Sequence, residues 1–173
     1  MGLKVGTVTL EEYNSNWSKM FEEEKENLKN IFKDLAIEIE HIGSTSIEGL
    51  SAKPIIDIAI AVKNLSDFEN IREYFKEPYS VKEDSVCDEI LIRKRVGSDE
   101  TTHLIHVMEV EGKRYQDTIK FRNYIRKHKN VLNEYENLKK ELAEKYADNR
   151  KMYTSSKNDF IQNIIKKAYE ENV

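Results

Sequence analysis

The stretch His41-Ile42-Gly43-Ser44-Thr45-Ser46, continued by Ala52-Lys53-Pro54-Ile55-Ile56-Asp57-Ile58-Ala59-Ile60-Ala61-Val62, decides how this chain is read. A Gly-Ser pair that follows an apolar strand (Ile37, Ile39, Ile42) and opens a short helix offers unpaired amide N–H groups and a hydroxyl to an anion. Gly43 permits a backbone approach that a Cβ would block. Asp57 then falls inside the next strand, where a carboxylate in an apolar run costs several kcal/mol unless it is paired or bound to metal. Phosphate donors beside a metal-capable carboxylate point to nucleotide chemistry.

A Gly-Ser turn followed on the next strand by Asp-x-Asp is the layout of the nucleotidyltransferase superfamily. The chain resembles more closely the GrpB family, whose pattern G-S-T-[AS]-[IV]-x-G-L-x-A-K-P-I-I-D-[IL] is met from Gly43 to Ile58. The match extends to Thr102-His103-Leu104-Ile105-His106-Val107, to Phe121-Arg122-Asn123-Tyr124-Ile125-Arg126, to Leu138-Lys139 and to Tyr153 with Lys157. The resemblance implies an α+β fold: a nucleotidyltransferase-like mixed β-sheet with packed helices and a helical C-terminal portion. The chain departs from the superfamily pattern at Ala59, where a second carboxylate would stand, and from the GrpB pattern at Asn123, where an acid would stand.

One domain spanning 1–173, sheet-rich over 1–112 and helical over 113–173, suits a chain of 173 residues. No apolar run approaches the roughly 20 residues of a membrane span, and the N-terminus lacks the apolar stretch of a signal peptide. A cytoplasmic protein is expected. Cys87 is the single cysteine, which excludes an internal disulfide and argues against a thiolate zinc site. The net charge of −4 hides an asymmetry: residues 1–112 carry 13 Lys/Arg against 23 Asp/Glu, and residues 113–173 carry 15 against 9. A basic helical third laid over a phosphate site would concentrate an anionic ligand, although solvated helix faces with Glu–Lys pairs give the same composition.

Lys4 to Leu10 has the alternation of a short strand, and Asn14 to Lys33 places Trp17, Phe21, Leu28 and Phe32 near helical spacing. Residues 36–42 and 54–62 read as strands, the second apolar enough to be central. Ser66-Asp67-Phe68-Glu69 has the form of a capping box opening a helix that ends before Pro78. Residues 79–82, 88–96 and 102–110 read as strands, with a turn at Gly97-Ser98. Helices are expected at about 115–128, 130–147 and 155–171, broken at Asp148-Asn149.

The candidate site follows from these placements. Gly43, Ser44 and Ser46 are expected to hold a phosphate, with Asp57 as the catalytic carboxylate and the ligand of a Mg²⁺ ion, or Mn²⁺, shared with waters and substrate phosphates. Lys53 either neutralises phosphate or faces solvent at the strand start. His103 and His106, three apart on one strand, point to opposite faces; His106 is the better candidate for proton transfer, and His103 is the candidate for ligand contact. Glu109 is a distant candidate for a further carboxylate. Arg122 and Arg126, at i and i+4, either clamp a phosphate bidentately or form an exposed pair. Tyr153 and Lys157, spaced alike, either close the site from the helical side or pair with acids on the sheet.

The leading functional reading is a protein that binds a nucleotide or other phosphorylated small molecule and transfers a nucleotidyl group with a divalent metal. Its rival is a regulatory module that keeps the pocket without turnover, which Ala59 favours. Nucleic acid is a poor partner for the acidic N-terminal two-thirds, where aromatic-basic RNA motifs are missing, and no membrane partner is expected.

Overall fold

In the computed structural model, which describes residues 8–82, 88–97 and 100–173, the apolar run after Pro54 forms the second strand of a mixed five-stranded sheet. The strands are β1 (Glu38–Ile42), β2 (Ile56–Val62), β3 (Tyr79–Val81), β4 (Ile90–Val96) and β5 (Glu100–Glu109), in the order β1-β2-β5-β4-β3. β1 and β2 are antiparallel, β2 and β5 parallel, and β5, β4 and β3 form an antiparallel meander. The helices are α1 (Asn16–Phe32), α2 (Lys113–Lys127), α3 (Lys129–Lys145), α4 (Arg150–Ser155) and α5 (Asn158–Glu170).

The two faces of β2 explain the layering. Ile56, Ile58, Ile60 and Val62 pack in one core with Trp17, Phe21, Leu28 and Phe32 of α1, the stripe expected from helical spacing. The opposite face carries Asp57, Ala59 and Ala61. Its small residues lie with Ile42, Met108 and Tyr115, so α2 can sit close to the sheet. The C-terminal helices then enclose a further core built from Ile47, Leu50, Tyr124, Ile125, Tyr135 and Ile164. The α+β architecture and the helical C-terminal portion are as the sequence implies.

Three local expectations are corrected. Of the strand expected over Lys4–Leu10, residues 4–7 lie outside the described residues and 8–10 join no strand; pairing falls instead on Glu11, which exchanges hydrogen bonds of 2.8 and 2.9 Å with Ala52. The helix expected after Ser66 is two 3₁₀ turns, Leu65–Asn70 and Arg72–Tyr74, whose own N-cap residues Asn64 and Ile71 give no side-chain cap. Three residues per turn eclipses i and i+3, which lets Phe68 and Ile71 both reach the core of α1. The break at Asp148-Asn149 is real, but Asn149 restarts a helix at once: its side chain accepts from the Met152 N–H at 3.1 Å and so caps α4. Ser98 and Cys87 lie outside the described residues.

Candidate functional site

Gly43 ends β1 with φ +68°, and its backbone lies against the side chain of Asp57, with which Ile42 is in register. A Cβ built at Gly43 would sit 2.5 Å from Asp57 Oδ2. Asp57 and the Gly43-Ser44 turn thus share one wall of a cleft of about 560 Å³ between the β2/β5 face of the sheet and the C-terminal helices. Ser44 and the buried Tyr135 of α3 line this cleft together. Ile161 and Ile165 of α5 and Phe121 of α2 give the cleft an apolar side.

Three cations line this cleft without an ion-pair partner among the described residues. Among the described residues the side chains of Lys53, Arg150 and Lys157 make no hydrogen bond or ion pair. Lys53 stands at the entry to β2, Arg150 opens α4, and Lys157 precedes α5. Both ammonium groups lie over the Tyr153 ring, Lys53 at 5.6 Å and Lys157 at 4.3 Å from its centroid, a cation–π contact that orients them without cancelling charge. Burial, then the nearby Arg150, pulls Lys53 down to about 8 against the opposing pull of Asp57. Burial, then Lys53, lowers Lys157 to about 8, again opposed by Asp57. Elsewhere on the cleft the cations are spent: Lys113 on Asp117, Arg114 on Asp88 and Glu89, Lys139 on Glu136 and the Ser51 carbonyl.

His106 is on the cleft face, directly opposite Ala59 in the β2/β5 register. Its Nδ1 is bonded to Glu89 and its Nε2 lies 3.6 Å from Asp57 Oδ1. Burial by itself would lower the imidazole, but the carboxylates of Asp57 and Glu89 outweigh it and hold it up to about 9. His106 is therefore an imidazolium at neutral pH, with Asp57 on one side and Glu89 on the other.

The other expected site residues are held elsewhere. His103 points to the α1 face, with Nδ1 2.9 Å from the Thr102 hydroxyl, and burial lowers its pKa; strand alternation separates it from His106. Ser46 spends its hydroxyl on the Gly43 carbonyl at 2.7 Å, closing the turn. Arg122 borders the cleft, yet its Nη1 donates to Glu40 at 2.6 Å and to the His41 carbonyl at 2.9 Å, while Nε and Nη2 donate to Asn123. Arg126 donates to the Ser46 carbonyl at 2.7 Å. The arginine pair fastens α2 to the end of β1 and the Gly43-Ser46 turn rather than facing the cleft as a phosphate fork. Glu109 accepts from the Leu65 N–H at 3.0 Å and caps a 3₁₀ turn. Tyr153 and Lys157 line the cleft from the helical side, Tyr153 on α4 and Lys157 in the link before α5. Arg150 and Glu89 are the site residues that sequence reasoning missed; each sits at the end of an element whose packing partner is remote in sequence.

For a divalent ion of the kind the superfamily pattern implies, the residues are a poor fit. Ala59 is fully buried against Ile42, Ala61, Met108 and Tyr115, the other carboxylates lining the cleft, Asp88 and Asp117, are ion-paired to Arg114 and Lys113, and the neighbours of Asp57 are an imidazolium and two ammonium groups. Among the described residues no three His, Cys, Asp or Glu side chains converge as metal ligands, whereas a hard cation is held by several oxygens.

The family model described as GrpB protein matches residues 7–167. The chain is 35% identical over 170 residues to the glutamate-rich protein GrpB of Alkalihalophilus pseudofirmus, covering 95% of this chain and 98% of that one. It is 37% identical over 162 residues to the protein YqkA of Bacillus subtilis, covering 92% of this chain and 45% of that longer one. Its structure is similar to the crystal structure of the conserved protein GrpB from Enterococcus faecalis, with TM-score 0.86, 32% identity and coverage of 95% and 99% of the two chains. Among the described residues no helix is long and apolar enough to cross a membrane.

Proposed function

Because this chain belongs to the GrpB family, we propose that the cleft is the family's ligand pocket in this protein and that its occupant is a phosphorylated small molecule, a nucleotide being the class that fits best. The observation that carries the reading is the convergence of Lys53, Arg150 and Lys157, none of them paired among the described residues, on the turn that presents Gly43 and Ser44. Three uncompensated cations in a partly buried cleft repel one another and are costly unless an anion joins them. Phe121, Ile161 and Ile165 offer an apolar wall for a base or other uncharged portion of the ligand. The reading requires no resident Mg²⁺ or Mn²⁺.

A second reading, transfer of a nucleotidyl group, is favoured by the chain Glu89–His106–Asp57. As the acceptor's oxygen bonds to the α-phosphorus and the bond to pyrophosphate breaks, an imidazolium fixed between two carboxylates can hand its proton to the leaving pyrophosphate, with Asp57 receiving the acceptor's proton. The test is a thermal-shift screen of nucleoside triphosphates with and without Mg²⁺ or Mn²⁺, followed for every binder by assay for released pyrophosphate. A raised melting temperature is expected for at least one of them, since a ligand of the folded state stabilises it by mass action. No shift with any phosphorylated compound would overturn the binding reading; binding without pyrophosphate release would leave the module without transferase activity.

A further inference from the structure

The relationship between Ala59, His106 and Asp57 carries the proposal further. In a two-carboxylate metal strand the residue two beyond Asp57 would be an acid. Here it is Ala59, and its methyl group leaves room for the residue directly opposite on β5, which is His106. His106 is held from behind by Glu89, itself ion-paired to Arg114, and is directed at Asp57 Oδ1, 3.6 Å away. The side chains of Asp57 and His106 are 30% and 23% exposed, so the pair stands at the edge of the cleft and not in its core. The side chain of His106 thus occupies the flank of Asp57 that a metal ion would have to take.

Around this pair stand Lys53, Arg150 and Lys157, unpaired among the described residues. Setting Asp57 against these three, the inner cleft holds two positive charges in excess. The Gly43-Ser44 turn adds N–H and O–H donors but no charge. A neutral sugar or a monocarboxylate would leave this excess uncompensated. A metal-complexed phosphate, whose charge the ion has already reduced, would bring a further cation toward three basic side chains.

Resting on the reading of the cleft as a phosphate pocket, we infer that the pocket takes its ligand metal-free, as a polyanion with at least two negative charges on adjacent phosphoryl groups, and that the His106 side chain, not a divalent ion, stands beside Asp57. The side-chain cations then do what Mg²⁺ does in metal-dependent phosphate sites, neutralising the oxygens directly. Lys53 and Lys157, over one aromatic ring, reach adjacent phosphoryl groups; Arg150 supplies the planar fork.

The experiment is calorimetric titration of inorganic pyrophosphate and of inorganic tripolyphosphate into the full chain, once with EDTA and once with excess Mg²⁺. Binding is expected in EDTA and at least tenfold weaker with Mg²⁺, because the ion withdraws the free polyanion. Binding that appears only with Mg²⁺ overturns the inference while leaving the phosphate pocket standing; no binding of either probe in either buffer overturns both. Asp57→Asn, nearly isosteric, separates the accounts again. Removal of a negative charge beside the anion should tighten binding in EDTA several-fold, whereas a metal-bridged ligand would be lost. Lys157→Gln should weaken binding in EDTA by tenfold or more, and unchanged affinity in that folded variant overturns the proposed placement.

Discussion

Gly43 and Asp57 are fitted to one another: the backbone of the glycine, at φ +68°, occupies the space in front of Asp57 Oδ2, and an added Cβ would lie 2.5 Å from that oxygen. Both constraints, the left-handed φ and the contact, favour the one residue without a side chain. Gly43→Ala is expected to cost roughly 1–3 kcal/mol and to push Asp57 or the turn out of place. Urea denaturation reads the first effect. Titration with pyrophosphate reads the second, and wild-type affinity in the alanine variant would show that the turn does not form the anion wall.

Arg122 is 7% exposed and is the hub through which α2 meets β1, by way of Glu40, the His41 carbonyl and Asn123. Arg122→Ala leaves those acceptors without their donor, and such losses of a buried charged partner cost roughly 3–5 kcal/mol. A fall in the denaturation midpoint of that size is expected. A fully stable Arg122→Ala protein that fails to bind phosphate would restore the arginine clamp.

Neutralising Lys157 should move stability and affinity in opposite directions. Its ammonium is held beside Lys53 and Arg150 with no partner among the described residues, and burial with the neighbouring Lys53 lowers it to about 8. Lys157→Met keeps the apolar stem over Tyr153 and removes one like charge. The empty protein should gain about 0.5–2 kcal/mol, the range typical of relieving strain at a functional site, as polyanion affinity falls. Differential scanning calorimetry with and without tripolyphosphate measures both.

The two histidines flanking the Gly43 turn give stability an opposite dependence on pH. His106 is raised to about 9, so its contribution is whole below about 6.5 and is lost as the pH rises through 9. His41 is lowered to about 4, first by burial, so its contribution is whole above about 6.5 and is lost as the pH falls through 4. Urea midpoints of the wild type and His106→Gln should therefore converge between pH 7 and pH 10, while His41→Asn should flatten the acid limb. A gap between wild type and His106→Gln that stays constant to pH 10 would show His106 to be neutral in the folded protein.

The part of the site that could be read from sequence is the part built by neighbours along the chain. Gly43, Ser44, Lys53 and Asp57 lie within one turn and one strand, and two-residue alternation placed Asp57 on one face and separated His103 from His106. What escaped depends on packing between remote elements. Helical spacing brings Arg122 and Arg126 to one side of α2, but it is silent on the carbonyls of His41 and Ser46 that meet them there. Nothing local in the sequence singles out Arg150, because only the packing of the helix that Asn149 caps brings it to the cleft. Glu109 was read as an acid near a site when its task was to cap the Leu65 turn, and the capping box at Ser66 yielded to the need for Phe68 and Ile71 to share a core.

Lys53 leads into the sheet, whereas Arg150 and Lys157 flank a six-residue helix near the other end of the chain. In the empty protein like charges thus press against each other across the seam between sheet and tail. A polyanion reverses the sign of that force: what held the two parts under tension becomes a clasp between them. Occupancy should consequently be legible far from the phosphates, in slowed amide exchange along α4 and in protection of the Arg150 and Lys151 peptide bonds from trypsin, so that the tail reports whether the cleft is full.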